Sequence, residues 1–526
     1  VFHGIYLASK NTFARTIPSN LSKQDKSVSA GNSYLKEQTK TMLEMSEYME
    51  SGIPGLDNVL RGGLPRHHMY AIYGASGSGK TTLSLQYLLR GAEMGEGCLY
   101  IGTSESEAEI RQIAHSHGWS LEGITIARLL YHTDKTDTGQ TMFYPAEVEL
   151  PQIMDRFVKM LKGYNPQRVV FDSLSEIRLL AGQLSWYQSQ LLQLKTFLES
   201  RDCTVIFTDT ILEPGSPLRT IAHGEIELSR IEPLYGPERR RLRIDKLRGH
   251  SFVSGFHDYT IIRGGLKVFP RLISSEHRRQ FTHEPFSSGN NDIDHLLHKG
   301  LERGTVTLVQ GVTGTGKTSL VTQYAVAAAQ RNERSLIFCF DERVSTLVER
   351  ANGLGMDIET YIADGRITIS QIDPAELTAG EFSNMVYEAV NQNELSLVII
   401  DSINGYSYAL PDERFLSVHL HELTSFLSLQ GVVTLLTLNQ LGGLGFITVP
   451  SPFDISYISD SVINLAFFEH RGQIHKSLMV AKQRSGYHES TIRELTMDSR
   501  GLHIGPVLQE FEGIATGIPR YLSAKT

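Results

Sequence analysis

Residues Gly74–Thr82 read GASGSGKTT, and Gly311–Ser319 read GVTGTGKTS. Both satisfy Gly-x-x-x-x-Gly-Lys-Thr, the phosphate-loop pattern. Glycines let the backbone turn so that successive N–H groups face an anion. A helix that follows adds its positive N-terminal end. Lys80 and Lys317 can reach the β- and γ-phosphates, and Thr81 and Thr318 offer hydroxyls to Mg²⁺. The expected ATP-binding residues are therefore Gly77, Ser78, Gly79, Lys80, Thr81 and Thr82, and in the second loop Thr313, Gly314, Thr315, Gly316, Lys317, Thr318 and Ser319. Each loop follows an apolar run (MYAIY, TVTLVQ) and precedes a helical pattern (TLSLQYLLRGAEMG, SLVTQYAVAAAQRN), which is the context the pattern requires.

The two loops belong to an internal duplication. Lys80 to Lys317 is 237 positions, Glu105 to Glu342 is 237, Asp172 to Asp401 is 229 and Arg248 to Arg484 is 236. Register held across four landmarks marks a repeated domain. Further apolar runs recur in pairs: CLYIGT and SLIFCF, RVVFD and SLVIID, CTVIFTDT and GVVTLLTLNQ. Strands alternating with helices predict an α/β fold, a parallel sheet with helices on both faces, built twice. The expected layout is a mobile segment over 1–45, a first domain over 46–270, a linker over 271–285, a second domain over 286–510 and a tail over 511–526.

A phosphate loop needs a magnesium partner at the end of another buried strand. Asp172 in RVVFDS and Asp401 in LVIIDS are the candidates. Hydrolysis also needs a group that orients or deprotonates a water. Glu105 (IGTSESEAEI) and the pair Asp341–Glu342 (FCFDERVSTL) follow the second strand of each half and are the candidate catalytic acids. Ser104 stands where the second half has Asp341, so Glu105 is expected to act alone or slowly.

The 526 residues are too many for one core, and the net charge of −8 argues against a nucleic-acid coating surface. No apolar stretch approaches the roughly 20 residues that a membrane helix needs. No cleavable-signal pattern follows Val1, and a cytoplasmic enzyme is expected. Cys98, Cys203 and Cys339 sit in or beside apolar runs and are expected to be buried free thiols.

These motifs, together with KLRG (Lys246–Gly249) in RRRLRIDKLRGHS and KQRSG in LMVAKQRSGYHESTIREL, resemble those of the KaiC family from about residue 46 onward. That family consists of two-domain, RecA-like phosphate-loop ATPases and autokinases. The resemblance implies a tandem RecA-like fold, a homo-hexamer stacked as two rings, ATP between neighbours and Mg²⁺ as cofactor. It implies that Lys246, Leu247 and Arg248, and likewise Lys482 and Arg484, reach the ATP of an adjacent subunit. Ser116 and Leu354 fall where the family lines the base, and Arg414 matches an arginine at the second-ring interface. Ser456 and Tyr457 in SPFDISYISDSVINL fall on the two phosphoacceptor positions, with Ser451 and Ser459 nearby. The implied activity is slow ATP hydrolysis in the first half and serine/threonine self-phosphorylation in the second. A KaiB-like or other signalling partner fits the same resemblance.

Tyr457 departs from the family's threonine, and Ser485 interrupts the Lys-x-Arg-Gly segment. The chain ends at Thr526, so a KaiA-type activator is not expected to bind. Two other readings share the loops. A RecA-, RadA- or DnaB-type DNA motor would use LYGPERRRLRIDKLR as its basic contact, against the acidic balance of the whole chain. A nucleotide-gated signalling scaffold would bind ATP with little turnover.

Overall fold

A computed structural model describes residues 47–129, 146–181, 184–210, 216–232, 236–407, 413–440, 455–514 and 520–521. The expected mobile segment over 1–45 and most of the tail lie outside them. The first sheet consists of β1 (Met69–Gly74), β2 (Cys98–Gly102), β3 (Ile124–Arg128), β4 (Arg168–Asp172), β5 (Thr204–Asp209), β6 (Gly224–Ile231), β7 (Arg239–Leu247), β8 (Phe256–Ile262) and β9 (Gly265–Phe269). The second consists of β10 (Val306–Gly311), β11 (Arg334–Cys339), β12 (Ile367–Gln371), β13 (Leu395–Asp401), β14 (Val433–Asn439), β15 (Ser461–His470), β16 (Gln473–Gln483), β17 (Arg493–Asp498) and β18 (Gly501–Val507). Their spatial orders are β9-β8-β7-β6-β1-β5-β4-β2-β3 and β18-β17-β16-β15-β10-β14-β13-β11-β12. Nine places later in the chain, every strand takes the same seat.

The six strands from β6 to β3, and from β15 to β12, run parallel. The three remaining strands of each sheet add on antiparallel. That antiparallel extension is absent from the sequence reading, which took RRRLRIDKL as a basic run. Arg239, Leu242, Ile244 and Leu247 of β7 are buried among half-buried neighbours, at steps of three, two and three residues. The last long step spans the bulge opposite Glu225/Ile226, which interrupts the alternation expected of a strand against a core.

Loop strand β1 is buried along its whole length. Tyr70 and Ile72 enter one core, and Met69, Ala71 and Tyr73 enter another on the opposite face. That division explains an unbroken apolar run in a strand, because both faces are covered by helices. In β10, Val309 faces one core while Val306 and Leu308 face the other. Helix α1 (Lys80–Glu93) then buries Leu83, Leu85, Tyr87 and Leu88 against the sheet. Each such side chain contributes about 1.5–3 kcal/mol of burial, which holds the loop rigidly between strand and helix.

The halves meet along β7 and β8. Arg239 donates to the carbonyls of Leu377 (2.7 Å) and Ala375 (3.0 Å), and the Gly380 N–H donates to Asp258 Oδ2 at 2.8 Å. All three cysteines are buried and free.

Candidate nucleotide sites

Each loop turns from the C-terminal end of its strand into a helix, α1 in the first half and α4 (Lys317–Gln330) in the second. Gly79 has φ 95° and Gly316 φ 108°, in the left-handed region. A Cβ on Gly79 would lie 2.6 Å from Ile261 Cδ1, and one on Gly316 would strike Met497. The second glycine is thus demanded by both backbone angle and close packing. Lys80 Nζ donates to the carbonyls of Gly74 (2.7 Å) and Ala75 (3.1 Å), and Lys317 Nζ to those of Gly311 and Val312 (2.9 Å each). Burial lowers both ammonium groups, Lys317 to about 8. A poorly hydrated cation held over a turn of backbone donors is a fit for a polyphosphate. The Ser78 hydroxyl, buried in that turn with no hydrogen-bond partner, marks the same cradle.

Behind each loop stands the same trio. Thr81 Oγ1 donates to Asp172 Oδ2 at 2.8 Å, and Thr208 Oγ1 donates to Asp172 Oδ1 at 2.5 Å. Thr318 donates to Asp401 Oδ2 at 2.7 Å, and Thr437 to Asp401 Oδ1. A hydroxyl and a carboxylate side by side are hard oxygen donors, and they suit Mg²⁺ held jointly with phosphates. Among the described residues no group of three or more His, Cys, Asp or Glu gathers to hold a metal by itself. Thr208 and Thr437 escaped the sequence reading, although each lies at the same step of its apolar run.

The acids are arranged differently in the two halves. Glu105 is half-buried with its Oε2 enclosed and unpartnered, and burial, then Asp172, raises its carboxyl above the usual range. Glu342 is instead gripped by Arg350, whose two terminal nitrogens donate at 2.8 and 2.6 Å. Arg350 lies on α5 (Val344–Gly353), and the same position of α2 (Glu107–His117) carries Ile113. Asp341 accepts from Ser402, and from Asn439 Nδ2 at 3.4 Å. Neither Arg350 nor Ile113 had drawn notice in the sequence.

The cations expected to act between subunits sit far from the loop of their own chain. Lys246 bonds Arg219 O and Glu225, and Arg248 donates to Thr220 O at 2.6 Å. Lys482 donates to the carbonyls of Ser456 (2.8 Å) and Ser459 (2.7 Å), and Arg484 to that of Tyr457 (2.6 Å). The bonds to Arg219 O and Thr220 O recur 237 positions on, at Ser456 O and Tyr457 O; the lysine's second partner differs, the Glu225 carboxylate in one half and the Ser459 carbonyl in the other. Both lysines lie opposite the same bulge, at Glu225/Ile226 and Val462/Ile463, so Ser485 does not disturb their register. The Arg248 N–H meets His223 O, and His223 N–H meets Met69 O, at the start of β1. The Arg484 N–H meets Asp460 O, and Asp460 N–H meets Val306 O, at the start of β10. Five steps of strand, about 17 Å, separate these arginines from the loops at the far end.

Tyr457 is 50% exposed and Ser456 half-buried in the turn before β15. Ser459 is fully buried and donates to Ile455 O, so its hydroxyl is not presented; Ser451 lies outside the described residues. Ser116 is exposed near the end of α2, Leu354 packs partly on the second core, and Leu247 is buried. No described contact joins Ser116 or Leu354 to the loops of this chain. Arg414 opens the helix Glu413–Leu429, with its side chain outside the described residues.

Basic run Arg239–Arg243 is largely neutralised within the chain. Arg240 pairs with Glu238, Arg241 with Asp258, and Arg243 with Glu227 and Asp245. A surface spent on its own acids has little charge left for a phosphate backbone, which weighs against the DNA-motor reading.

Two mostly parallel-sheet domains, each with a phosphate loop, a hydrogen-bonded Thr–Asp pair behind it and acids after the second strand, define a tandem RecA-like phosphate-loop NTPase. The profile of the family described as "ATPase: KaiC" matches residues 49–273 and again 286–509, and the chain belongs to that family. It is 27% identical to the circadian clock protein KaiC3 of Synechocystis sp., over 90% of this chain and 95% of that protein. It is 26% identical to the circadian clock oscillator protein KaiC of Picosynechococcus sp., over 89% and 91%. The KaiC of Thermostichus vulcanus is also 26% identical, over 90% and 91%. No helix among the described residues is long and apolar enough to cross a membrane.

Proposed function

We propose that this protein hydrolyses ATP at sites completed between subunits of a hexameric double ring, and that its second domain phosphorylates hydroxyls of a neighbouring copy. The observation that carries this reading is the placement of Lys246, Arg248, Lys482 and Arg484 at the end of each sheet opposite the phosphate loop. A cation about 17 Å from its own loop serves ATP only from another copy. Ser456 and Tyr457 share that end, so transfer to them also crosses between copies.

Catalysis in this scheme is positioning plus charge stabilisation. The loop N–H groups and Lys80 or Lys317 hold the β- and γ-phosphates. Mg²⁺, when held by Thr81–Asp172 or Thr318–Asp401, neutralises charge on the phosphate oxygens. Glu105, unpaired and raised in pKa, accepts the proton of a water whose oxygen bonds the γ-phosphorus as the bridge to ADP breaks. In the second half Asp341 is poised to accept the proton of an incoming hydroxyl, while Arg350 holds Glu342. A KaiB-like or other signalling protein is the partner class that the clock-protein relatives suggest, in clock-like or stress signalling.

The test is to incubate the protein with Mg·ATP and map phosphopeptides by mass spectrometry beside a Lys317→Ala control. Phosphate on Ser456 or Tyr457, lost in the control, is the expected result. A fully covered, unmodified 451–461 peptide would refute self-phosphorylation and leave a double-ring ATPase.

A further inference from the structure

The first half lacks an acid at Ser104, yet it does not lack a second carboxylate. Glu176, in the first turn of α3 (Leu174–Ala181), accepts hydrogen bonds from Ser104 Oγ (2.9 Å), Thr103 Oγ1 (2.9 Å) and Ser173 Oγ (2.8 Å). Ser173 follows the metal-strand aspartate Asp172. In the second half the residue after Asp401 is Ser402, and its hydroxyl donates to Asp341. The serine is the same in both halves, and in both it holds a carboxylate; only the element that supplies the carboxylate differs.

The exchange is reciprocal. Thr103, Ser104 and Glu176 correspond in register to Phe340, Asp341 and Gly405. Gly405 lies on α6 (Ile403–Ser407), the counterpart of α3. A Cβ on Gly405 would strike Phe340 and come within 2.6 Å of Asp341 Oδ1. A side chain at that helix position therefore points into the space that the Asp341 carboxylate fills. In the first half the strand end has shrunk to Thr103 and Ser104, and Glu176 grows into the vacated room. Either arrangement gives one acid, and the two together would clash.

We infer that Glu176 is the positioning residue that replaces the missing strand-end acid of the first nucleotide site, acting beside Glu105 through Ser104 and Thr103. This rests on the reading of that site as hydrolytic. Its carboxylate fixes the turn that carries Glu105 and keeps a second negative charge next to it. Three hydroxyl donors leave Glu176 a fixed acceptor, while the enclosed Oε2 of Glu105 keeps its accepting capacity unspent.

ATP turnover of the full chain is measured in a Lys317→Ala background, so that only the first site contributes, with fluorescent ATP-analogue binding followed in parallel. Glu176→Gly and the near-isosteric Glu176→Gln should each lower kcat, by about 10²-fold for the glycine variant, with KM changed less than about threefold. Ser104→Asp with Glu176→Gly, which installs the arrangement of the second half, should recover kcat to within about threefold of the parent. Unchanged kcat in both Glu176 variants, or a double variant that binds nucleotide but stays as slow as Glu176→Gly, overturns the assignment alone. A parent that binds the analogue and turns over no ATP overturns the hydrolytic reading and this one with it.

Discussion

In the first half Ile113 stands where the second half has Arg350, so Glu105 lacks the guanidinium fork that grips its counterpart Glu342. The frame around the two acids is shared, from strand order to the Thr–Asp pair behind each loop, while the side chains nearest them differ. A duplicated frame therefore holds the phosphates alike and differentiates by the partners it gives its carboxylates. An acid left unpaired in a half-buried place is a better base, while one locked to a guanidinium is a fixed strut.

The comparison breaks most visibly if the halves are not separate sites. Lys80→Ala should abolish turnover in the first site by about 10²–10³-fold and leave phosphate transfer from the second intact, and Lys317→Ala should do the converse. Phosphopeptide yield and total ATP turnover, measured on both variants, check this. Loss of both activities in either variant would make the sites one coupled unit.

Exchanging the cation sharpens the contrast. Ile113→Arg should give Glu105 the fork that Glu342 has and slow first-site turnover about tenfold, the worth of one charged hydrogen bond. Arg350→Ile should free Glu342 and raise water hydrolysis at the second site at the expense of protein phosphorylation. Single-turnover assays that separate inorganic phosphate from phosphoprotein distinguish these outcomes.

A further contrast concerns stability. His419, half-buried in the second half, contacts Tyr406 and Ser383, while the equivalent position of the first half is the buried Gln190. Burial holds the His419 imidazole down at about 4, against an ordinary 6.5. It is neutral in the folded state, whereas the unfolded chain takes up a proton below pH 6.5. Its contribution is whole above that pH and drains as pH falls toward 4, by about 2 kcal/mol at pH 5. Denaturant unfolding at pH 7 and pH 5 should show the second domain losing stability at the lower pH, and His419→Gln should shrink that loss.

Much of this was legible in the residues alone. The loops, Asp172, Asp401 and the repeat follow from motif and register, because a phosphate cradle admits few sequences. Strand β7 was missed because arginines fill it and a bulge breaks its alternation. Glu176 was missed for a different reason. Ser104 was compared only with Asp341, one position at a time, whereas the carboxylate had moved to another element. Setting Glu176 against Gly405 in the 229-residue register is the signal that would have found it. Arg350 was overlooked likewise, because its partner lies eight residues back, two turns along the chain, where no short motif reaches.

In the proposed assembly, the cations and candidate acceptors at one end of each sheet, with the loops at the other, give every subunit a giving side and a receiving side. An assembly of such units has a direction of travel. A linear row would always strand one unserved nucleotide at its head and one idle arginine at its tail. Only a closed circle leaves nothing over, and each member then stands downstream of every other, itself included.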